Sequence, residues 1–154
     1  MANNRKRVAL IGKIGSGKTT LKQRLSKDEI KYEKTQMITY YDDFIDTPGE
    51  FLELPFFSRQ AINITLDAGL VILVSSCIDS QNSYSPNFVF TYNIPTIGVI
   101  TKIDQENGNI IRSRKHLSYA GVQKTRIFEV SSVTGQGIEE LEGIIHHYME
   151  KYRK

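Results

Sequence analysis

Cysteine is nearly absent from this chain. Cys77 is the single one among 154 residues, which excludes an internal disulfide and any cysteine-based zinc cluster. A reducing cytoplasm fits that usage. Long apolar runs are missing as well: none approaches the ~20 residues needed to span a bilayer, so no membrane partner is expected. An apolar fraction of 40% and a mean hydropathy of -0.32 agree with a soluble domain. The opening MANNRKRVALIG is positive at its start, but its apolar run stops at Gly12 and reads as a first strand, not a signal peptide. Charge of one sign does not accumulate either. The 20 basic and 17 acidic residues leave a net +3, and the basic ones are spread out. Arg5-Lys6-Arg7 and Lys151 to Lys154 flank the ends and read as solvated termini, so nucleic acid is not an expected partner. With no linker, repeat or low-complexity segment, the expectation is a single domain over 1–154. That is long enough to bury a core without disulfides or metals.

What is present begins with GKIGSGKT, Gly12 to Thr19, which fits the P-loop pattern at Gly12, Gly17, Lys18 and Thr19. A loop wrapped around a diphosphate must turn successive N–H groups inward, which needs unusual dihedrals and no side chains in the way. Gly12, Gly15 and Gly17 supply that freedom. The N–H groups of Gly15, Ser16, Gly17, Lys18, Thr19 and Thr20 would face the phosphates, aided by the positive end of the following helix. Lys18 would reach the β- and γ-phosphates, and the Thr19 hydroxyl would ligate magnesium.

The remaining pattern alternates strands with helices. Val8 to Ile11 reads as a buried strand and Thr19 to about Ser26 as a helix, followed by a mobile loop over Lys27 to Gln36. Met37 to Tyr41 and Phe44 to Asp46 read as strands joined by a tight turn at Asp42-Asp43, with Thr47-Pro48-Gly49 breaking the second. Phe57 to Asp67 is helical. Leu70 to Val74 and Thr96 to Ile100 are buried strands, separated by a polar loop from Ser75 to Asn87 and a short helix at Phe88 to Tyr92. Asn109 to Ala120 is a helix with Gly121 at its C-cap. Ile127 to Val130 is the last strand, and Ile138 to Tyr152 a long amphipathic helix. The expectation is a three-layer α/β/α fold with a mostly parallel, six-stranded sheet. Ligands of such sheets bind at the carboxyl ends of the strands, where the P-loop, Asp46, Thr101 and Ser131 all fall.

Three further segments sit at those ends. Asp46 of DTPG would hold magnesium, usually through water, and the Gly49 N–H would contact a γ-phosphate. Taken alone, Asp and Pro read equally as the end of a strand. Thr101-Lys102-Ile103-Asp104 places a carboxylate where it can accept both the N1–H and the exocyclic amine of guanine, while Lys102 lies over the base. Adenine would leave Asp104 unpaired, and a site that strands a buried polar group can discriminate by up to ~10⁴. Ser131-Ser132-Val133-Thr134-Gly135 offers a backbone N–H near Ser132 for the guanine O6, with Ser131 steadying the loop and Val133 beside it. In isolation that stretch is a helix N-cap region. All four segments occur in the order a guanine-nucleotide site requires, so GTP, GDP and magnesium are the expected ligands.

GKIGSGKT, DTPGE, TKID and SSVTGQG together resemble the translation-factor-related small GTPases, in the Era-like branch of the Ras-type fold. More narrowly, KYEKTQMITYYDDFIDTPGEF, IGVITKID and FEVSSVTGQGIEEL are similar to the EutP/PduV family, over nearly the whole chain. The resemblance implies an accessory role in bacterial ethanolamine or propanediol utilisation and association with a protein-shelled microcompartment, whose shell or enzymes are candidate partners. Some members have been ascribed an acetate kinase activity. Against this pattern, Thr35 matches the switch-loop threonine that would ligate magnesium, yet lies eleven residues before Asp46, so the second and third strands must form a very short hairpin. The water-orienting Gln expected after the DxxG segment is Glu50 here. A carboxylate there could orient or deprotonate water but would repel the γ-phosphate, so slow turnover is expected, at or below about 10⁻² s⁻¹. Lys18, Thr35, Gly49 and Glu50 are thus the candidate catalytic set.

Other residues invite less. His146 and His147 point some 100° apart on a helix and do not suit one metal. Tyr32, Tyr40, Tyr41 and Tyr84 suit either a partner surface or strand packing. Phe51, Leu54, Phe56 and Phe57 either move with nucleotide state or anchor their loop. Arg59 is the one candidate to bind a carboxylate substrate.

Overall fold

The computed structural model describes residues 6–27, 38–41, 43–49, 64 and 66–152. Six strands, β1 Arg7–Ile11, β2 Thr39–Tyr40, β3 Phe44–Asp46, β4 Ala68–Ser76, β5 Thr96–Thr101 and β6 Ile127–Glu129, form one sheet in the order β2-β3-β1-β4-β5-β6. Only β2 runs antiparallel, against β3; the other pairs are parallel. Among the described residues three helices accompany them, α1 Lys18–Leu25, α2 Ile110–Tyr119 and α3 Ile138–Met149. The expected mostly parallel, six-stranded α/β/α fold is therefore the one observed.

The continuous apolar strands follow from burial on both faces, because successive strand side chains point to opposite sides. Ala9, Ile11, Ile45, Val71 and Leu73 face one core with Leu117 and Ala120 from the end of α2, and with Phe88 and Tyr92. Val8, Leu10, Phe44, Leu70 and Ile72 face the other, with Leu21 of α1 and Leu141, Ile145 and Met149 of α3.

Several boundaries differ from the sequence reading for identifiable reasons. The strand expected at Leu70 to Val74 extends over Ala68–Ser76, because Ser75 and Ser76 pair with Ile100 and Thr101. Backbone pairing there overrides the polarity of the side chains. The last helix stops at Met149, and a 3₁₀ turn over Glu150–Tyr152 lays the Tyr152 ring against Gly69, where a Cβ would collide with it. β6 ends at Glu129, a residue short of expectation. The helix expected at Asn109 to Ala120 spans Ile110–Tyr119, with Asn109 as an N-cap that accepts from the Arg112 N–H at 3.0 Å. Gly121, at φ 103°, supplies the left-handed residue that ends it.

The very short β2–β3 hairpin is present, closed by the Tyr41 N–H donating to the Phe44 carbonyl at 2.7 Å. Tyr84 is 6% exposed, which removes it from any partner surface, while the Tyr41 ring lies under Lys22 Nζ, 3.6 Å from its centroid. The loop at 28–36, Met37, Asp42 and most of the helix expected at Phe57 to Asp67 lie outside the described residues. So do Tyr32, Phe51, Leu54, Phe56 and Phe57.

The buried seam between α3 and the sheet predicts a measurable cost on truncation. Leu141 is fully buried, and Leu141→Ala should lower stability by about 2–5 kcal/mol, read as a lower urea midpoint with an unchanged slope.

Candidate functional site

The chain leaves β1 at Gly12, and the three P-loop glycines turn out to serve different needs. Gly12 is required for space: a Cβ would stand 2.7 Å from Ser16 Oγ and 3.0 Å from the Val74 carbonyl oxygen. Gly15 and Gly17 are required for conformation, with φ of 77° and 92°. Gly17 caps α1 without a side-chain bond, and no acidic residue occupies the first turn. The leading N–H groups of the helix therefore suit an anion.

A cleft of about 570 Å³ opens over this loop, within the range of small-molecule sites. Gly15, Gly17, Lys18, Thr19 and Thr20 form its floor, Gly49 one wall, Thr101, Lys102 and Asp104 a second, and Ser132 and Val133 a third. The sequence-predicted residues thus converge from four separate strand ends. Gly12, Ser16, Asp46 and Ser131 do not line the cleft but stand behind it. Thr35 and Glu50 lie outside the described residues, as does Arg59.

The residues behind the wall orient those in it. Asp46 is fully buried at the end of β3 and accepts from the Thr19 hydroxyl at 2.6 Å. Next to it, the buried Thr47 hydroxyl donates to the Leu10 carbonyl at 2.8 Å, tying the end of β3 to β1. Gly49 meets the backbone of Ile14 so closely that any Cβ would overlap it. After β5, the Thr101 hydroxyl donates to the Ser16 carbonyl at 2.5 Å and Lys102 Nζ to the Gly15 carbonyl at 2.7 Å. Lys102 holds a left-handed backbone, φ 64°, a conformation that costs a non-glycine residue about 1–2 kcal/mol. Asp104 accepts from the Ser131 hydroxyl at 2.8 Å on one oxygen and from Gln105 Nε2 at 3.2 Å on the other. Ser131 is itself held, its Oγ accepting from the Thr134 N–H at 3.1 Å.

Three lining residues escaped sequence reasoning: Ile14, Ile78 and Gln105. Gln105 follows directly on TKID, so proximity was its signal. Ile14 and Ile78 are 43% and 38% exposed, and with Val133 at 57% they give the cleft an apolar rim. Behind the P-loop, Lys13, Ser16, Asp79, Tyr84 and His116 surround a small polar recess. Burial pushes the His116 imidazole below its ordinary range, helped by the Arg112 charge and opposed by Asp79. Burial also raises the Cys77 thiol, whose Sγ donates to the Lys102 carbonyl.

Magnesium is the metal the fold family implies, and the donors present suit it. A hydroxyl and a buried carboxylate, those of Thr19 and Asp46, meet as hard oxygen atoms of the kind that would hold it. Among the described residues no group of three or more His, Cys, Asp or Glu could enclose a metal, so phosphate and water oxygens would complete the shell. No helix among the described residues is long and apolar enough to cross a membrane.

The sheet order, the glycine loop entering α1 and the loops converging on it define a P-loop domain of the Ras-like α/β/α class. The structure of Era from Aquifex aeolicus, bound to GDP.AlF4-, superposes with a TM-score of 0.60 at 23% identity, over 92% of this chain and 56% of that one. Residues 5–150 match the PduV-EutP family model, described as ethanolamine utilisation - propanediol utilisation, and the chain belongs to that family. It is 34% identical over 137 residues to propanediol utilization protein PduV of Citrobacter freundii, covering 88% of this chain and 90% of that protein. To the probable acetate kinase EutP of Escherichia coli K12 it is 30% identical, covering 88% and 86%.

The depressed His116 predicts a sign for the pH dependence of stability. As pH falls below the ordinary histidine value of 6.5, the unfolded chain takes up the proton before the folded one, so stability drops through that window. Urea titrations at pH 7.5 and 5.5 should show a smaller loss for His116→Gln than for the wild type.

Proposed function

We propose that this protein is a small guanine-nucleotide-binding protein that hydrolyses GTP slowly and serves as a switch or accessory factor in ethanolamine or propanediol utilisation. The observation that carries the reading is Asp104, held by Ser131 in the same cleft as Lys18 and Thr19. A carboxylate held in the same cleft as a phosphate loop suits a base with two adjacent donors, as guanine has and adenine lacks. GDP in the Era structure of the same fold is in keeping with this, and the name of PduV supports the physiological setting.

In this reading Lys18 and the N–H groups from Gly15 to Thr20 bind and orient the phosphates, and the Gly49 N–H senses the γ-phosphate. Thr19 would hold magnesium directly and Asp46 through water; the ion would supply neutralisation of charge on the phosphates. Thr35 would complete that grip only with GTP bound, so hydrolysis would release its loop together with that of Gly49. Glu50, standing where a water-orienting Gln would be, makes turnover slow. Recruitment to a microcompartment shell or its enzymes would then follow the nucleotide state.

Calorimetry with GDP and ADP side by side is the direct test. GDP should bind at least about 10³-fold more tightly, and Asp104→Asn should shift preference toward xanthosine nucleotides. Equal affinity for the two would remove the guanine reading. A second reading, phosphoryl transfer between ATP and acetate, is favoured by the name of the Escherichia coli relative. It requires acetyl phosphate to form from acetate and ATP and to disappear in Lys18→Ala.

A further inference from the structure

β1 ends at Ile11, opposite Leu73, whereas β4 runs on to Ser76. At that step the sheet loses a strand, and the carbonyls beside the gap need other donors. Tyr84 fills the need. Its hydroxyl lies 2.7 Å from the Val74 carbonyl and 3.1 Å from the Ile11 carbonyl, so one proton bridges the last residue before the P-loop and the neighbouring strand. The ring is packed on Phe88 at 5.5 Å, and the Tyr84 N–H donates to Asn82 Oδ1 at 3.0 Å. The same loop makes a second attachment: Lys13, the residue after Gly12, pairs its Nζ with the Asp79 carboxylate at 3.2 Å. Between these two attachments and β4 stands Ile78, which lines the nucleotide cleft.

We infer that the loop spanning residues 77–87 positions the phosphate-binding loop, with Tyr84 as the principal positioning residue and Asp79 as the secondary one. Tyr84 does not line the cleft itself. It fixes where the chain turns out of the sheet at Gly12, and thereby where the N–H groups from Gly15 onward point. Burial pushes the pKa of its phenol above the ordinary range, so the hydroxyl remains a donor at any working pH. This inference rests on the phosphate half of the proposed site and does not depend on which base is bound.

The test separates phosphate from base. In the full-length chain, displacement of a fluorescent GDP analogue by GDP, inorganic pyrophosphate and GMP gives three inhibition constants. Tyr84→Phe keeps the ring and removes only the hydroxyl. It should weaken GDP and pyrophosphate by roughly three- to tenfold, the worth of one hydrogen bond, and leave GMP within about twofold. Tyr92→Phe is the control: it removes another buried hydroxyl, bonded to Thr96 and remote from the P-loop, and should leave all three in proportion. If Tyr84→Phe does not fold, Asp79→Asn carries the test with the same expected pattern. Equal weakening of GDP and GMP, or no weakening of GDP, would reduce Tyr84 to packing and overturn the inference. Should the wild type prefer ADP, the guanine reading falls, and ADP against AMP decides the inference instead. A wild type that binds neither pyrophosphate nor a nucleoside diphosphate overturns both.

Discussion

Between the end of β5 and the P-loop, the Thr101 hydroxyl reaches the Ser16 carbonyl and Lys102 Nζ the Gly15 carbonyl. Each bond spans more than 80 residues of sequence, and both end on the backbone of the glycine loop. They are possible because β1 and β5 flank β4 in one parallel sheet, so both strands release their loops at the same edge. A loop whose glycines permit many conformations is thereby held in one. The Asp104 carboxylate, two residues after Lys102, is thereby held in a fixed relation to that loop.

A similar fastening joins the phosphate floor to β3. Thr19 from α1 and Asp46 from β3 meet at 2.6 Å, and Thr47 pins the strand end to Leu10. The Asp46 carboxylate is fully buried, a burial tolerable for a charge only with hydrogen bonds or a cation nearby. Gly49 then passes so close to Ile14 that only glycine fits. A small displacement of either loop must therefore be felt by the other, because close-packed backbones cannot deform independently. The described part of the chain thus offers a route by which events at a terminal phosphate would reach the segment after Gly49.

The motifs were legible because their chemistry prescribes residue types at short spacings. GKIGSGKT, DTPG, TKID and SSVTG each lie within a few residues, and the alternation of apolar runs assigned them to strand ends. The helix borders at Asn109 and Gly121 were equally local, being set by a cap and a left-handed residue. What stayed hidden was long-range. Nothing near Tyr84 says that its hydroxyl bridges Ile11, 73 residues away, or that Ile78 faces the cleft. Ser75 and Ser76 misled because a polar side chain hides a backbone committed to a ladder. At Gly12 the requirement is empty space beside Ser16 and Val74, which only the tertiary packing creates.

The lining of the cleft also bears on the choice between a nucleotide switch and a kinase for a small carboxylate. Ile14, Ile78 and Val133 leave apolar surface exposed around the opening. A planar purine can cover such surface and gain from its removal from water, whereas a two-carbon anion covers little of it. Acetate would need a cationic partner, since a carboxylate taken out of water unpaired is strongly disfavoured. Among the described lining residues the cations are Lys18 and Lys102, and Lys102 already donates to the Gly15 carbonyl. Lys18 is the phosphate-facing lysine in either reading. An acetate subsite would therefore need a cation from outside the described lining, whereas the wall that carries Asp104, Ser132 and Val133 lies within it. The guanine reading makes fewer demands on this chain, because its recognising carboxylate is already oriented by Ser131.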